Sequence, residues 1–117
     1  MATLTPTLIL NSTDATTDVL NFSVTDSLNI TGDVVSLNRV TLSTGDLTLL
    51  AAASYTKSYV YLKNTDSSIS IQVKFGSTAN ILLAAEEFAF FPWDSGNNIV
   101  VASVSGTPVL EYALFEA

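Results

Sequence analysis

The chain has 117 residues, and its four Lys or Arg against eleven Asp or Glu leave a net charge of −7, with neither cysteine nor histidine present. The missing cysteine excludes disulfides, thiolate catalysis and sulfur-ligated metal sites; the missing histidine removes the standard hydrolytic triads and most transition-metal sites. Phosphate binding draws on clustered Lys and Arg, and Arg39, Lys57, Lys63 and Lys74 are too few and too scattered along the sequence, which argues against nucleic-acid binding and against attachment to an anionic membrane.

The length suits one domain with a real core. No apolar run approaches the ~20 residues of a spanning helix. The first residues lack a charged region followed by a continuous apolar segment, so no signal peptide is expected.

In chain order, residues 1–17 open with a Thr-rich stretch in which Leu8 and Leu10 share a face and Pro6 disfavours a central strand. This predicts an extended arm that lies across the body or reaches a neighbour, with the domain proper running from 18 to 117. Leu20, Phe22 and Val24 alternate with polar residues, the two-residue period of a half-buried strand. Thr31-Gly32-Asp33 and Thr44-Gly45-Asp46 mark turns. Between them the apolar phase slips, Val35 and Leu37 on one face and Val40 and Leu42 on the other, as a bulge or a sheet crossing would cause. Leu47 to Ala53 reads as a strand running into a loop, and Ala79 to Ala85 is left open between helix and strand.

The best-patterned stretch is 57–92. Val60 and Leu62 alternate with Tyr59, Tyr61 and Lys63; Asn64-Thr65-Asp66 forms a turn cluster; Ile69, Ile71, Val73 and Phe75 resume the period. The two runs predict an antiparallel hairpin. Gly76-Ser77-Thr78 turns the chain again, and Phe88, Phe90 and Phe91 form a strand that Pro92 is expected to end. Trp93 to Asn98 is the clearest loop. Two final strands, Ile99 to Val104 and Val109 to Phe115, complete nine or ten short antiparallel strands. The fold class is therefore all-β, a single β-sandwich of jelly-roll type.

Candidate chemistry is sparse. Glu86-Glu87 is the sole adjacent carboxylate pair, and on a strand its members would face opposite sides, unable to act together as a glycosidase pair without Asp94 or Glu111 nearby. Asp94, Ser95, Asn97 and Asn98 offer oxygens without the spacing of a calcium loop. No catalytic residue, cofactor or metal site is assigned. The Asn-X-Ser/Thr triplets at Asn11, Asn21 and Asn29 are what so much Asn, Ser and Thr produces by chance. Trp93 suits either a sugar-stacking rim, with Asn97 and Asn98 beside it, or a hydrophobic anchor at a subunit contact. Tyr59 and Tyr61 share the face opposite Val60 and Leu62. The last strand, with Leu110, Tyr112 and Phe115, is apolar almost to the final residue; either it is central or a neighbour covers it. The expected contact residues are Leu8, Leu10, Tyr59, Tyr61, Phe91, Trp93, Leu110, Tyr112 and Phe115.

At VYLKNTDSSISIQV, EEFAFFPW and LEYALFEA, and in the Thr- and Ser-rich opening MATLTPTLILNSTDATTDVLNFSVTDSLNITG, the chain resembles small all-β virion proteins of tailed bacteriophages. The resemblance covers about two-thirds of the chain and consists of strand-and-turn patterns, so no individual binding residue carries over. It implies a non-enzymatic capsid cement or decoration protein, a homo-oligomer (a trimer) seated on the major capsid protein or other virion proteins. Such a protein is assembled in the bacterial cytoplasm and located in the virion. Tail, baseplate or fibre components, and a glycan- or receptor-binding module, are the alternatives.

Overall fold

The computed structural model describes residues 2–117. The all-β class expected from the alternation is what the chain adopts, with twelve strands among the described residues rather than nine or ten, and one short 3₁₀ turn at Ala52–Ser54. Among the described residues no helix is long and apolar enough to cross a membrane.

The chain divides into two compact units between Thr31 and Gly32, not after residue 17. In the first unit β1 (Ala2–Leu4) pairs with β4 (Leu28–Ile30), and β2 (Thr7–Ser12) with β3 (Leu20–Thr25), all antiparallel. The stretch expected as an extended arm across the body or toward a neighbour is instead paired, Thr7–Ser12 with Leu20–Thr25, eight to eighteen positions on. Local alternation could not reveal that pairing, because it reports faces and not neighbours. The Pro6 carbonyl accepts from the Asp26 amide at 3.1 Å, and the Thr7 and Thr25 hydroxyls meet at 3.0 Å, closing the open end of the β2–β3 hairpin.

The second unit is a β-sandwich. Its eight strands are β5 (Val34–Thr41), β6 (Leu47–Leu50), β7 (Ser58–Asn64), β8 (Ile71–Phe75), β9 (Thr78–Leu83), β10 (Phe88–Trp93), β11 (Ile99–Ser103) and β12 (Val109–Glu116). One sheet has the order β10-β7-β12-β5, the other β6-β11-β8-β9. The pairs β5·β12, β6·β11, β7·β10 and β8·β9 are nested, outermost strands in sequence meeting each other and innermost strands forming the hairpin. Between the sheets lies a core that includes Leu50, Val60, Leu62, Ile71, Val73, Ile99, Val101, Leu110 and Leu114. Burying side chains of this size stabilises by roughly 1.5–3 kcal/mol each before the entropy of ordering is charged against it.

The nested order corrects the hairpin expected between β7 and β8. Those strands lie in different sheets, and the tight hairpin is β8–β9, turned at Gly76-Ser77 with Gly76 at φ 70°. Left-handed φ at the first position of a two-residue loop is the conformation for which glycine carries no steric penalty.

What diverts the chain after β7 is Asn64. It stands in phase with Val60 and Leu62 and is fully buried. Its Nδ2 donates to the carbonyls of Ile69 (2.7 Å), Leu83 (3.1 Å) and Ala84 (3.1 Å), and its Oδ1 accepts from the Asp66 amide at 3.0 Å. One buried side chain thus ties the crossing segment and the end of β9 to the end of β7, with its own polar atoms satisfied. Asp66 tightens the same crossing: its Oδ1 accepts from the Ser68 and Ile69 amides at 2.8 and 2.9 Å, which hold its carboxyl below the ordinary aspartate value.

Two further sequence readings resolve in the fold. The phase slip in 34–42 is a bulge: Tyr112 faces Asn38 and Leu114 faces Val35, so β5 carries one extra residue against β12. Pro92 does not end its strand; it pairs with Tyr59 inside β10. β10 lies at the sheet edge, where a residue without an amide proton costs no ladder bond.

Glu116 fastens the start of this unit to its end. Its carboxylate accepts from the amides of Thr56 (2.8 Å) and Asp33 (3.0 Å), and both bonds hold its pKa below the ordinary glutamate value. A Cβ on Gly32 would overlap Glu116 Oε1 and stand 2.7 Å from its Cδ. Because the folded-state value is depressed, the stabilisation is complete above the unfolded-state pKa and is lost as pH falls through the folded-state one. Glu116→Gln is therefore expected to be less stable than the parent at neutral pH, with the gap closing in acid. Urea midpoints at the two pH values check this, and a gap independent of pH would refute it.

Candidate interaction surfaces

The sandwich brings the expected contact residues into three different environments. Trp93, Phe91, Leu110 and Tyr112 point inward. Trp93 is 3% exposed, its Nε1 donates to the Asn97 carbonyl at 3.1 Å, and Tyr55 tilts against it at 6.3 Å between centroids. Its ring is already covered, so neither the sugar-stacking role nor the subunit anchor applies to it. Phe91 is half-buried against the core and meets Phe75 edge-on at 5.8 Å. The reason is parity: Ala89, Phe91 and Trp93 take the inward positions of β10, which leaves Phe88 and Phe90 outside.

Leu110 is fully buried and Tyr112 packs on the core, because β12 is an inner strand with β7 on one side and β5 on the other. The apolar C-terminal strand is covered by its own chain. It supplies no argument for a neighbour.

Tyr59, Tyr61 and Phe115 do face outward, and the register sets what surrounds them. One row across the outer side of this sheet reads Pro92, Tyr59, Phe115, Val34; a second contains Phe90, Tyr61 and Ala113; a third reads Phe88, Lys63, Glu111, Arg39. Tyr59 stacks on Phe90 with 6.4 Å between centroids and 16° between planes, and Lys57 Nζ lies 4.9 Å from the Tyr59 centroid. Phe88 is 61% exposed. Glu111 accepts from Arg39 Nε at 3.2 Å and from the Tyr61 hydroxyl at 3.1 Å. Burial first, then the bond to Glu111 and its charge, raise the Tyr61 pKa. Three of the four basic residues in the chain, Arg39, Lys57 and Lys63, therefore stand on one aromatic surface, where Glu111 is the one carboxylate in its rows. Scattered in sequence, they are gathered by the fold.

Leu8 and Leu10 belong to a separate surface on the first unit. Pairing of Leu8 with Val24 and Leu10 with Phe22 puts the four side chains on one side of the β2–β3 hairpin, each between 42% and 48% exposed. Phe22 and Val24 were assigned to a half-buried strand by their alternation, but a two-stranded sheet offers no second layer to bury them. Neither strand bears a charge. Asp14 and Asp18 lie at the loop end and Asp26 at the open end, and residues 2–31 contain no Lys or Arg.

Two further acids bond within their own turns. Glu87 accepts from the Ala84 amide at 2.7 Å and Asp94 from the Gly96 amide at 2.7 Å; Glu86 occupies the turn before β10 at φ 64°. Asn98 Oδ1 accepts from the Ala52 amide at 2.8 Å, so it serves the loop. Among the described residues no three acidic side chains gather closely enough to hold a metal ion. Compared with known proteins, the chain matches no family model, no curated sequence and no solved structure.

Proposed function

We propose that this protein is a non-enzymatic structural subunit, a virion protein of the capsid decoration kind, that works by burying its uncovered apolar surfaces against other proteins of a particle. The observation that carries this reading is the β2–β3 hairpin, an uncharged two-stranded sheet whose Leu8, Leu10, Phe22 and Val24 side chains have no layer above them. A sheet of that size is marginal alone and gains its stability by docking. The aromatic outer side of the sandwich, with Phe88 and Phe90 exposed, is a second surface of the same kind. The nested strand order is the one a jelly-roll wrap produces, and the resemblance in the strand-and-turn stretches points the same way. Contacts of modest size become effective when repeated over a shell.

The test is attachment to purified particles of the host phage, read by copy number in the particle and by position in a cryo-electron microscopy map. Attachment is expected to be lost in Leu8→Ser/Leu10→Ser while the sandwich keeps its thermal transition. Full attachment of that variant, or absence of the protein from particles, would overturn the reading.

A further inference from the structure

The two uncovered surfaces are complementary to each other. The hairpin is an apolar strip with acidic residues beyond both ends: Asp14 and Asp18 at one, Asp26 at the other. The outer side of the sandwich is an aromatic strip with cations at both ends: Lys57 at one, Lys63 with Arg39 at the other, and Tyr59, Tyr61 and Phe90 between them. The lengths are similar. Lys57, just before β7, and Lys63 lie six steps apart, about 20 Å at ~3.3 Å per residue, and the six residues of β2 span about 17 Å, with the Asp residues beyond its ends.

We infer that the hairpin of one copy docks on the aromatic outer sheet of a second copy, Leu8, Leu10, Phe22 and Val24 lying on Tyr59, Phe88 and Phe90, with the Asp residues at its ends meeting Lys57, Lys63 and Arg39. The inference deepens the assembly reading above and rests on it, since it names a second copy as the partner of those surfaces. Charge complementarity selects that occupant. The chain as a whole is acidic, so copies repel each other across most of their surfaces. The outer sheet is where three cations meet one carboxylate, and the first unit is where all side-chain charge is negative. Their contact is the arrangement in which like-charged molecules present opposite signs. Donor and acceptor surfaces differ, so the contact is head-to-tail, and successive copies either close into a ring or continue as a filament. The footprint is at the small end of protein interfaces, which makes association reversible and dependent on concentration.

Sedimentation equilibrium of the full-length protein tests this with two variants, Leu10→Asp in the hairpin and Phe88→Asp on the outer sheet. Neither side chain belongs to the sandwich core. The parent is expected to associate as concentration rises and to dissociate as salt is added. Each variant alone is expected to associate at least about tenfold more weakly, as truncation of an interface anchor does. An equimolar mixture of the two is expected to recover parental affinity but to stop at one-to-one dimers, because one intact hairpin then meets one intact sheet. Recovery distinguishes this contact from hairpin-on-hairpin or sheet-on-sheet pairing, where mixing restores nothing.

Should either variant unfold, as read by the Trp93 fluorescence maximum, charge reversal serves instead. Asp18→Lys and Lys63→Glu are each expected to weaken association, and the mixture of the two single variants to restore it. A parent that is monomeric at every concentration, or association indifferent to both surfaces, overturns the inference. Attachment to particles is measured separately, so a monomeric protein that still binds a shell would leave the assembly reading standing and remove only the copy-to-copy contact.

Discussion

Asn64→Asp is expected to destabilise the sandwich by about 3–5 kcal/mol, the cost of an unpaired buried charge, out of a total of roughly 5–15 kcal/mol for a domain. The substitution is almost isosteric, so packing is not what changes. The Nδ2 group that three carbonyls share becomes an oxygen, and the carbonyls of Ile69, Leu83 and Ala84 then face a carboxylate at hydrogen-bonding distance. Protonating the new carboxyl lets it serve only one of the three carbonyls, although that of Ala84 keeps the Glu87 amide at 3.1 Å. Chemical denaturation measures the loss. Asn80→Asp, on the exposed part of β9, is the matched control and is expected to stay within about 0.5 kcal/mol of the parent. A loss of less than about 1 kcal/mol at Asn64 would mean that its bonds are not what pins the crossing between the sheets.

Leu110→Asp is expected to abolish folding, and Leu110→Ala to cost about 2–5 kcal/mol. Leu110 has no exposed surface, and β12 runs between two neighbours, with Leu110 opposite Val40 on β5 and Asn64 on β7. Neither backbone shift nor solvent can relieve a charge there. Far-ultraviolet circular dichroism and solubility give the result for the aspartate variant, and urea midpoints give it for the alanine one. A soluble Leu110→Asp protein with a parental melting transition would contradict the inner placement of β12. Glu111→Ala, one position on and turned outward, removes a partner of Arg39 and Tyr61 without opening the core, which separates the effect of burial from that of location.

Alternation made the strands of the sandwich legible because each buries one face, and Val60, Leu62, Ile71 and Val73, which it marks in β7 and β8, lie in the core. Pairing was not legible. Proximity in sequence suggested β7 with β8, whereas β7 pairs with β10 and β12, and no pattern within a strand names its neighbour. The buried Asn64 shows the same limit. As a residue type it signals a turn, and only its phase with Val60 and Leu62 marked it as inward. Trp93 misled for a related reason: a lone tryptophan beside a loop reads as a rim residue, but its parity with Phe91 and Ala89 directed it inside. Among the surfaces, Leu8, Leu10, Tyr59 and Tyr61 were identifiable as apolar residues on amphipathic strands. The cluster of Arg39, Lys57 and Lys63 was not, since residues from β5 and from the segment leading into β7 meet only through β12.

The nested pairing also governs how the sandwich can come into being. Its outermost pair joins Val34 to Phe115, nearly the full length of the second unit, and β12 separates β5 from β7 in their sheet. A nascent chain emerging from the ribosome holds β5 without its one neighbour until β12 has been synthesised. Such distant closures make for slow topologies. The strands made first wait with bare edges, exposed to other chains during synthesis, and the mature sheet exists only once the final segment has threaded into its interior.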